Sequence, residues 1–98
     1  MPAYIIVDVK INDREVYEEY KKLTTSTVTA YGGEFIIRGG KTETLEGTWN
    51  PERFVVLKFP DATRAKQWWS SPEYAKAKSL RQSVAATQMI LADGTANG

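Results

Sequence analysis

The alternation of apolar and polar positions divides the chain into strand-like and helix-like segments. Residues 3–11 (AYIIVDVKI) are rich in β-branched side chains, and their odd positions are all apolar while the even positions turn polar after Ile6. This pattern is typical of a strand with one buried face. Asp13 then predicts the N-cap of a helix with an apolar stripe from Val16 to Tyr31. Gly32-Gly33 is predicted to end that helix.

The remaining segments predict three more strands and a second helical region. Residues 34–38 and 53–59 read as strands, and Gly39-Gly40 between them either turns a hairpin or kinks the strand as a bulge that residues 41–46 continue.

Helix signals follow the third strand. Pro60 and Asp61 end that strand and cap a helix, and Ser70 is predicted to cap a further helical segment with Pro72 in its first turn and Glu73 completing a capping box. A fourth strand is predicted between residues 82 and 92, best over 87–91.

The order β-α-β-β-α-β predicts an α+β, ferredoxin-like domain. Two right-handed crossovers place both helices on one face of a four-stranded antiparallel sheet, with the first and third strands in its centre. Ninety-eight residues are enough for one such domain over residues 1–98. Within it, we expect a loose C-terminal tail over about 93–98.

The helices cover one face of this sheet, and the other face is predicted to mix apolar and charged side chains. Phe35 and Ile37 are assigned to the core. The open face is expected to carry Tyr4, Ile6, Ile36, Phe54, Val56, Asp8, Arg38 and Lys58. Such a surface is too apolar for water and too charged for a dry core. We therefore expect a second copy to lay its sheet over this face, giving a homodimer that encloses a partly polar cavity.

The charge balance and the N-terminal segment exclude several classes of protein. Thirteen basic and twelve acidic residues leave a formal net charge of +1, without the concentrated basic face that nucleic-acid binding calls for. The most basic stretch, residues 76–81, is interpreted as a solvated helix face. The first ten residues have no basic leader, and no run approaches 18 apolar residues. We expect a cytoplasmic protein without membrane or nucleic-acid partners.

The chain contains neither cysteine nor histidine. Disulfides, thiolate nucleophiles, thiolate metal sites, Ser-His triads, zinc hydrolysis and haem held by a proximal histidine are therefore excluded. The carboxylates are scattered along the sequence, so we expect no specific transition-metal site and no cofactor.

Five residues are candidates for ligand binding: Asp8, Arg38, Lys58, Trp49 and Arg53. Asp8 and Lys58 lie on adjacent central strands and form either a cross-strand ion pair or, with Arg38, a charged triad in a ligand cavity. Arg38 precedes two glycines, where its guanidinium either binds an anion or pairs with Glu46 or Asp8.

The other candidates carry alternatives of their own. Arg53 pairs with Glu46 to close the intervening loop, or contributes to the site. Trp49 is either a lid over the cavity or an anchor of the dimer. Without histidine, acid–base chemistry needs a carboxylate with a raised pKa, and Asp8 is the best-placed candidate base. At least one of Trp68 and Trp69 is expected in the core.

Four segments together resemble one known family. They are AYIIVDV (3–9), AYGGEFIIRGG (30–40), LEGTWNPERFVVLKFP (45–60) and WWSSPEY (68–74). This pattern is similar to that of the domain family of unknown function 1330, a branch of the dimeric α/β-barrel superfamily. The resemblance implies a ferredoxin-like monomer that pairs with a second copy through its sheet. Relatives in the superfamily include cofactor-free monooxygenases, muconolactone isomerases and haem enzymes, and the haem branch does not carry over to a chain without histidine.

Three functional hypotheses follow. The first is a dimer that binds a small organic acid or aromatic metabolite through Arg38 and Lys58. The second is a cofactor-independent enzyme acting on such a ligand, with Asp8 as base and Arg38 stabilising an oxyanion. The third is a structural dimer without a ligand, in which the charges pair with each other. Fold similarity alone does not distinguish among them.

Overall fold

The computed structural model describes residues 1–95 and contains four strands and three helices in the predicted order. They are β1 (Ala3–Ile11), α1 (Arg14–Ala30), β2 (Glu34–Arg38), β3 (Arg53–Phe59), α2 (Ala62–Trp69), α3 (Pro72–Val84) and β4 (Ala85–Asp93). The strands form one sheet in the order β2-β3-β1-β4, and all neighbours are antiparallel. The predicted ferredoxin-like α+β fold is confirmed. Within residues 1–95, no helix combines the length and apolar character needed to cross a membrane.

The fourth strand is longer than predicted. It follows α3 directly and pairs with all of β1, from Ile11 opposite Ala85 to Ala3 opposite Asp93. Beyond it, the backbone N–H of Gly94 donates to the carbonyl of Pro2 at 2.8 Å. Asp93 therefore belongs to the sheet rather than to the predicted tail, and residues 96–98 lie outside the described part of the chain.

The helix ends follow local capping rules, with one correction. Asp13 accepts the N–H of Val16, as predicted. The cap of α3 is Ser71 and not Ser70, since the Ser71 Oγ accepts the N–H of Tyr74 at 3.1 Å. Ser70 instead forms the C-cap of α2, and its hydroxyl donates to the carbonyl of Lys66. The predicted capping box between Ser70 and Glu73 is wrong, because Ser70 ends α2 and the next residue, Ser71, caps α3.

The core lies between the helices and the odd-numbered face of β1. Trp68 and Tyr74 are fully buried and stack with ring centroids 4.1 Å apart, whereas Trp69 is largely exposed. The buried face of α1 consists of Tyr17, Tyr20, Thr24, Thr27 and Val28. The buried threonines cost little, because their hydroxyls donate to helix carbonyls one turn earlier.

A β-bulge in β2 changes which side chains face the helices. Phe35 opposes Leu57 and Ile37 opposes Val56, so Ile36 is an extra residue between them. A one-residue shift exchanges the two faces of a strand. Ile37 therefore lies on the open face and not in the core.

Arg38 moves with the same shift. It opposes Val55, which is buried beneath the helices, so Arg38 lies on the helix face rather than on the predicted open face. The irregularity is at Ile36 rather than at Gly39-Gly40. Residues 40–52 form a loop, so the predicted continuation of the strand over 41–46 is wrong.

Candidate functional site

The structure separates the five predicted site residues onto the two faces of the sheet. Asp8 and Lys58 occupy even positions of β1 and β3 on the open face, where Trp49 joins Asp8. Arg38 and Arg53 occupy the helix face. One charged cavity containing all five residues, as the sequence suggested, is therefore not formed within the chain.

Trp49 and Asp8 are in direct contact. The indole Nε1 of Trp49 donates to Oδ2 of Asp8 at 2.8 Å, and the ring packs edge-on against Phe54 with centroids 5.8 Å apart. Thr44 donates to the Trp49 carbonyl at 2.6 Å and holds the loop in this position. The other carboxylate oxygen, Oδ1 of Asp8, is buried without a hydrogen-bond partner. The loop thus folds back over one end of the open face.

Asp8 and Lys58 do not form the predicted ion pair. Lys58 opposes Tyr4, whereas Asp8 opposes Phe54. Four positions along a strand separate side chains by roughly 13 Å. Among residues 1–95 the ion pairs are Glu18–Lys21 and Glu19–Lys22, both on the surface of α1.

Arg38 contacts α1 instead of an acidic side chain. Its Nη2 donates to Oγ1 of Thr25 at 2.9 Å and to the carbonyl of Lys21 at 3.4 Å. Its Cζ lies 4.0 Å from the ring centroid of Phe35, a cation–π contact. The predicted alternatives, a salt bridge to Glu46 or Asp8, are wrong because the bulge turns Arg38 to the helix face.

A network of tyrosines and arginines lies between the helices and the sheet. The guanidinium of Arg53 lies over the ring of Tyr17 at 5.5 Å, and that ring packs at 5.1 Å against Tyr20. The hydroxyls of Tyr20 and Tyr74 are 2.8 Å apart, and Nε of Arg81 donates to the Tyr74 oxygen at 3.4 Å. Two cationic side chains are thus joined through three buried phenols.

Burial keeps two of these phenols neutral. It raises the pKa of Tyr20, and the neighbouring Tyr74 raises it further. Burial also raises the pKa of Tyr17, against the opposing effect of Arg53. At neutral pH Tyr17 and Tyr20 therefore supply no negative charge to balance the arginines.

Arg81 is the most unusual side chain of this network. It is 4% exposed, and within the described chain its one hydrogen bond is the long contact to Tyr74. No carboxylate among residues 1–95 pairs with it. Our interpretation of residues 76–81 as a solvated helix face is wrong at this position. The signal was present in the spacing of Tyr74, Ala77 and Arg81, which share one stripe of α3 and are all buried.

A cavity of about 470 Å³ opens beside Arg81, between the helices and β4. We call it the outer cavity. It is lined by Ile5, Ala65, Lys66, Trp69, Arg81, Gln82, Thr87, Met89, Ile90 and Leu91. Most of these are apolar and none is acidic. The hydroxyl of Thr87 is buried and has no hydrogen-bond partner among residues 1–95. Sequence reasoning missed this cavity because it depends on how completely the helices cover an edge strand.

Across residues 1–95 no three carboxylate side chains lie close enough together to hold a metal ion.

Sequence comparison places the chain in a family. The model of a domain of unknown function, DUF1330, matches residues 2–95. The chain belongs to the DUF1330 family. This confirms the resemblance found in the sequence. No curated protein matches the chain.

Solved structures show the same fold as this DUF1330 domain. A protein of unknown function from Rhodopseudomonas palustris superposes with a TM-score of 0.78 at 17% identity, covering 96% of this chain and 82% of that one. A dimeric ferredoxin-like protein of unknown function from Jannaschia sp. gives 0.75 at 12% identity, covering 96% and 100%. SnoaB, a cofactor-independent oxygenase from Streptomyces nogalater, gives 0.63 at 12% identity, covering 99% and 98%.

Proposed function

We propose that this DUF1330 protein binds a small organic acid with an apolar or aromatic body in the outer cavity, with Arg81 as the anchor for the acid group. The observation that carries the proposal is the buried guanidinium of Arg81, which has no acidic partner within residues 1–95. A buried charge without a counter-charge is strongly unfavourable. A carboxylate entering the outer cavity supplies that counter-charge and accepts two parallel hydrogen bonds from the guanidinium.

The rest of the outer cavity suits the body of such a ligand. Its volume lies within the roughly 300–1,000 Å³ of ordinary small-molecule sites. Met89 and Leu91 line it with apolar surface, and the Trp69 ring offers a flat one. The unpartnered hydroxyl of Thr87 can donate to a second oxygen of the ligand. The proposal keeps the ligand class predicted from the sequence and moves its site to the helix face of the sheet.

The test is calorimetric titration with aromatic and aliphatic carboxylates, each paired with its neutral amide. We expect the wild-type protein to bind at least one acid and to discriminate against its amide by roughly 100-fold, as expected when a charge-assisted bond is lost. Arg81→Met should abolish this binding. Arg64→Met is the matched control, because Arg64 lies over the ring of Tyr31 in another arginine–tyrosine contact away from the cavity.

Thermal melting in the absence of ligand adds a second readout. If only a bound anion balances the charge of Arg81, the ligand-free protein contains an unpaired buried charge. Arg81→Met removes that charge and should leave Tm unchanged or raise it. Wild-type protein that binds none of the acids at millimolar concentration, or an Arg81→Met protein that binds them as well as the parent, would contradict the proposal.

We also propose that two copies of the chain pair through their open sheet faces. Ile6, Val56, Ile37 and Ile90 form a contiguous apolar surface on that face, since Ile6 opposes both Val56 and Ile90, and Ile37 opposes Val56. Solved structures with this fold from Jannaschia sp. and Bacteroides fragilis are described as dimeric. Burial of such a surface stabilises a small domain, at roughly 25 cal/mol per Å² of apolar area.

A cofactor-independent enzyme acting on the bound acid is a second candidate function. Its support is the structural similarity to the oxygenase SnoaB over nearly the full length of both chains. Asp8 lies on the opposite face of the sheet from the outer cavity, so a base for this site has to come from elsewhere than the residue predicted. Oxygen uptake measured with each acid that binds tests this candidate, and uptake no faster than with Arg81→Met excludes it.

A further inference from the structure

We infer that a chloride-sized inorganic anion binds in a second, smaller space between α1, α3 and the sheet, which Arg81 lines as it lines the outer cavity. This inner chamber has a volume of about 30 Å³. Arg38, Arg53 and Arg81 line it, together with Tyr17 and Tyr20. The inference goes beyond the proposed function, because it concerns a different ligand and a different space that shares Arg81 with the outer cavity.

The charges around the inner chamber are unbalanced. None of its lining residues is an aspartate or a glutamate. Lys21 also borders it, but its ammonium is neutralised by Glu18 at 2.9 Å on the surface of α1. Arg38 is exposed to solvent and bonded to Thr25. The uncompensated charges at the inner chamber therefore belong to Arg81, which is 4% exposed, and to Arg53, which is half-buried.

Arg53 is held in place with a free donor. One side of its guanidinium lies over Tyr17, and the other rests against Gly39, where an added Cβ would overlap it. Its Nε is buried and has no hydrogen-bond partner in the described part of the chain. A fixed guanidinium with a buried, unused N–H is a preorganised donor for an anion.

The size of the inner chamber selects the ligand. A water molecule needs at least 10–15 Å³ of such space, so about 30 Å³ accommodates a halide ion or one to two waters and excludes an organic acid. A water would accept the Nε–H of Arg53 but leave both guanidinium charges unbalanced. A halide accepts hydrogen bonds and neutralises charge at the same time, which favours it over water.

Thermal melts at constant ionic strength test the inference, with sodium chloride replacing sodium gluconate stepwise. Gluconate is too large for the inner chamber. We expect the wild-type Tm to rise with chloride along a saturating curve, by about 5–10 °C at ten times the dissociation constant. Arg53→Met should lose this response, because it removes one of the two unbalanced guanidiniums and the free Nε–H.

Arg64→Met is again the matched control and should retain the full chloride response. Arg53 does not border the outer cavity, so Arg53→Met should still bind organic acids, and the two proposals fail separately. A wild-type Tm independent of chloride, or an Arg53→Met protein with an unchanged response, would overturn the inference.

Crystals grown in sodium bromide give a measurement that does not depend on the folding of a variant. Bromide replaces chloride and scatters anomalously. An anomalous peak in contact with Nε of Arg53 supports the inference, and an anomalous map without a peak in the inner chamber overturns it.

Discussion

At the scale of single residues, the core of this protein contains polar side chains that contact one another. Tyr17, Tyr20 and Tyr74 place their hydroxyls among aliphatic and aromatic neighbours, and Arg53 and Arg81 approach them from two sides. Buried polar groups are stable where they bond to each other. The hydrogen bond between Tyr20 and Tyr74 lies in the middle of this arrangement, so its removal should lower the stability of the whole domain.

Tyr20→Phe should lower the free energy of unfolding at pH 7 by about 1 kcal/mol, because the bond to Tyr74 is lost. It should also change the response to alkali. Because the pKa of Tyr20 is raised in the folded state, its stabilising effect is complete below about pH 10 and is lost as the pH rises through the folded-state pKa. Urea unfolding at pH 7 and pH 10.5 should therefore show a smaller alkaline loss in the variant. An equal loss in both proteins would contradict this assignment.

At the scale of elements, capping and the bulge decide details that periodicity leaves open. Two adjacent serines separate α2 from α3, and each ends or begins one helix. The Oγ of Ser71 is buried and takes part in two hydrogen bonds, to the carbonyl of Trp68 and to the N–H of Tyr74. Ser70 is exposed and contributes a single bond from its side chain.

This difference predicts unequal effects for the two serines. Ser71→Ala should lower the free energy of unfolding by about 1–2 kcal/mol, the usual effect of losing an N-cap. Ser70→Ala, the matched control, should change it by less than about 0.5 kcal/mol, as ordinary surface substitutions do. Chemical denaturation of both variants checks the assignment. Equal losses of unfolding free energy, or a larger loss for Ser70→Ala, would contradict Ser71 as the N-cap of α3.

The bulge predicts that one residue of β2 is dispensable. Because Phe35 and Ile37 already oppose consecutive residues of β3, deleting Ile36 straightens the strand without moving Arg38 to the other face. The variant should fold, keep the contact from Arg38 to Thr25, and stay within about 1 kcal/mol of the parent, the size of an ordinary single change.

Deletion of Val55 in β3 is the control for this experiment. It shifts the register of a central strand, so it should prevent folding. Circular dichroism and a crystal structure of the Ile36 deletion check the result. A variant that is unfolded, or one in which Arg38 lies on the open face, would contradict our account of the bulge.

At the scale of the whole molecule, the sheet divides two chemically different sides. The helix side holds the core, the outer cavity and the inner chamber. The open side is apolar in its centre, and Asp8 with its buried, unpartnered oxygen lies at one end beneath the 40–52 loop. A second copy covering this side would remove the apolar surface from water, while ligands would reach the helix side from the other direction.

Ile37 tests this arrangement, because its side chain lies on the open face and is 37% exposed in the single chain. Ile37→Asp should leave the fold intact and convert a dimer to a monomer, since pairing would bury an unpaired carboxylate. Ala75→Asp, on the exposed side of α3, is the control and should remain dimeric. Sedimentation at micromolar concentration distinguishes the two states, and a wild-type monomer would refute the proposed pairing.

The sequence by itself determined the architecture. The odd positions of β1, the Asp13 and Asp61 caps, Gly32 and Pro72 specify where elements start and stop through interactions within a few residues. Four strands joined by one direct connection and two long helical crossovers then leave essentially one topology, because the crossovers are right-handed. The family followed from the same local segments, and so did the burial of one tryptophan of the 68–69 pair.

Only the tertiary structure decided the site. The bulge at Ile36 depends on hydrogen bonding to β3, and no local signal marks it; it moved Arg38 away from Asp8. The distance between Asp8 and Lys58 depends on the register of β1 against β3. The alternation of apolar and polar residues does not fix this register, because a shift of two residues keeps every side chain on the same face. Arg81 shares a helical stripe with Tyr74 and Ala77, but which stripe of α3 is buried depends on where α3 lies on α1 and β4. Local patterns encode elements, whereas a cavity is what remains between elements after they pack.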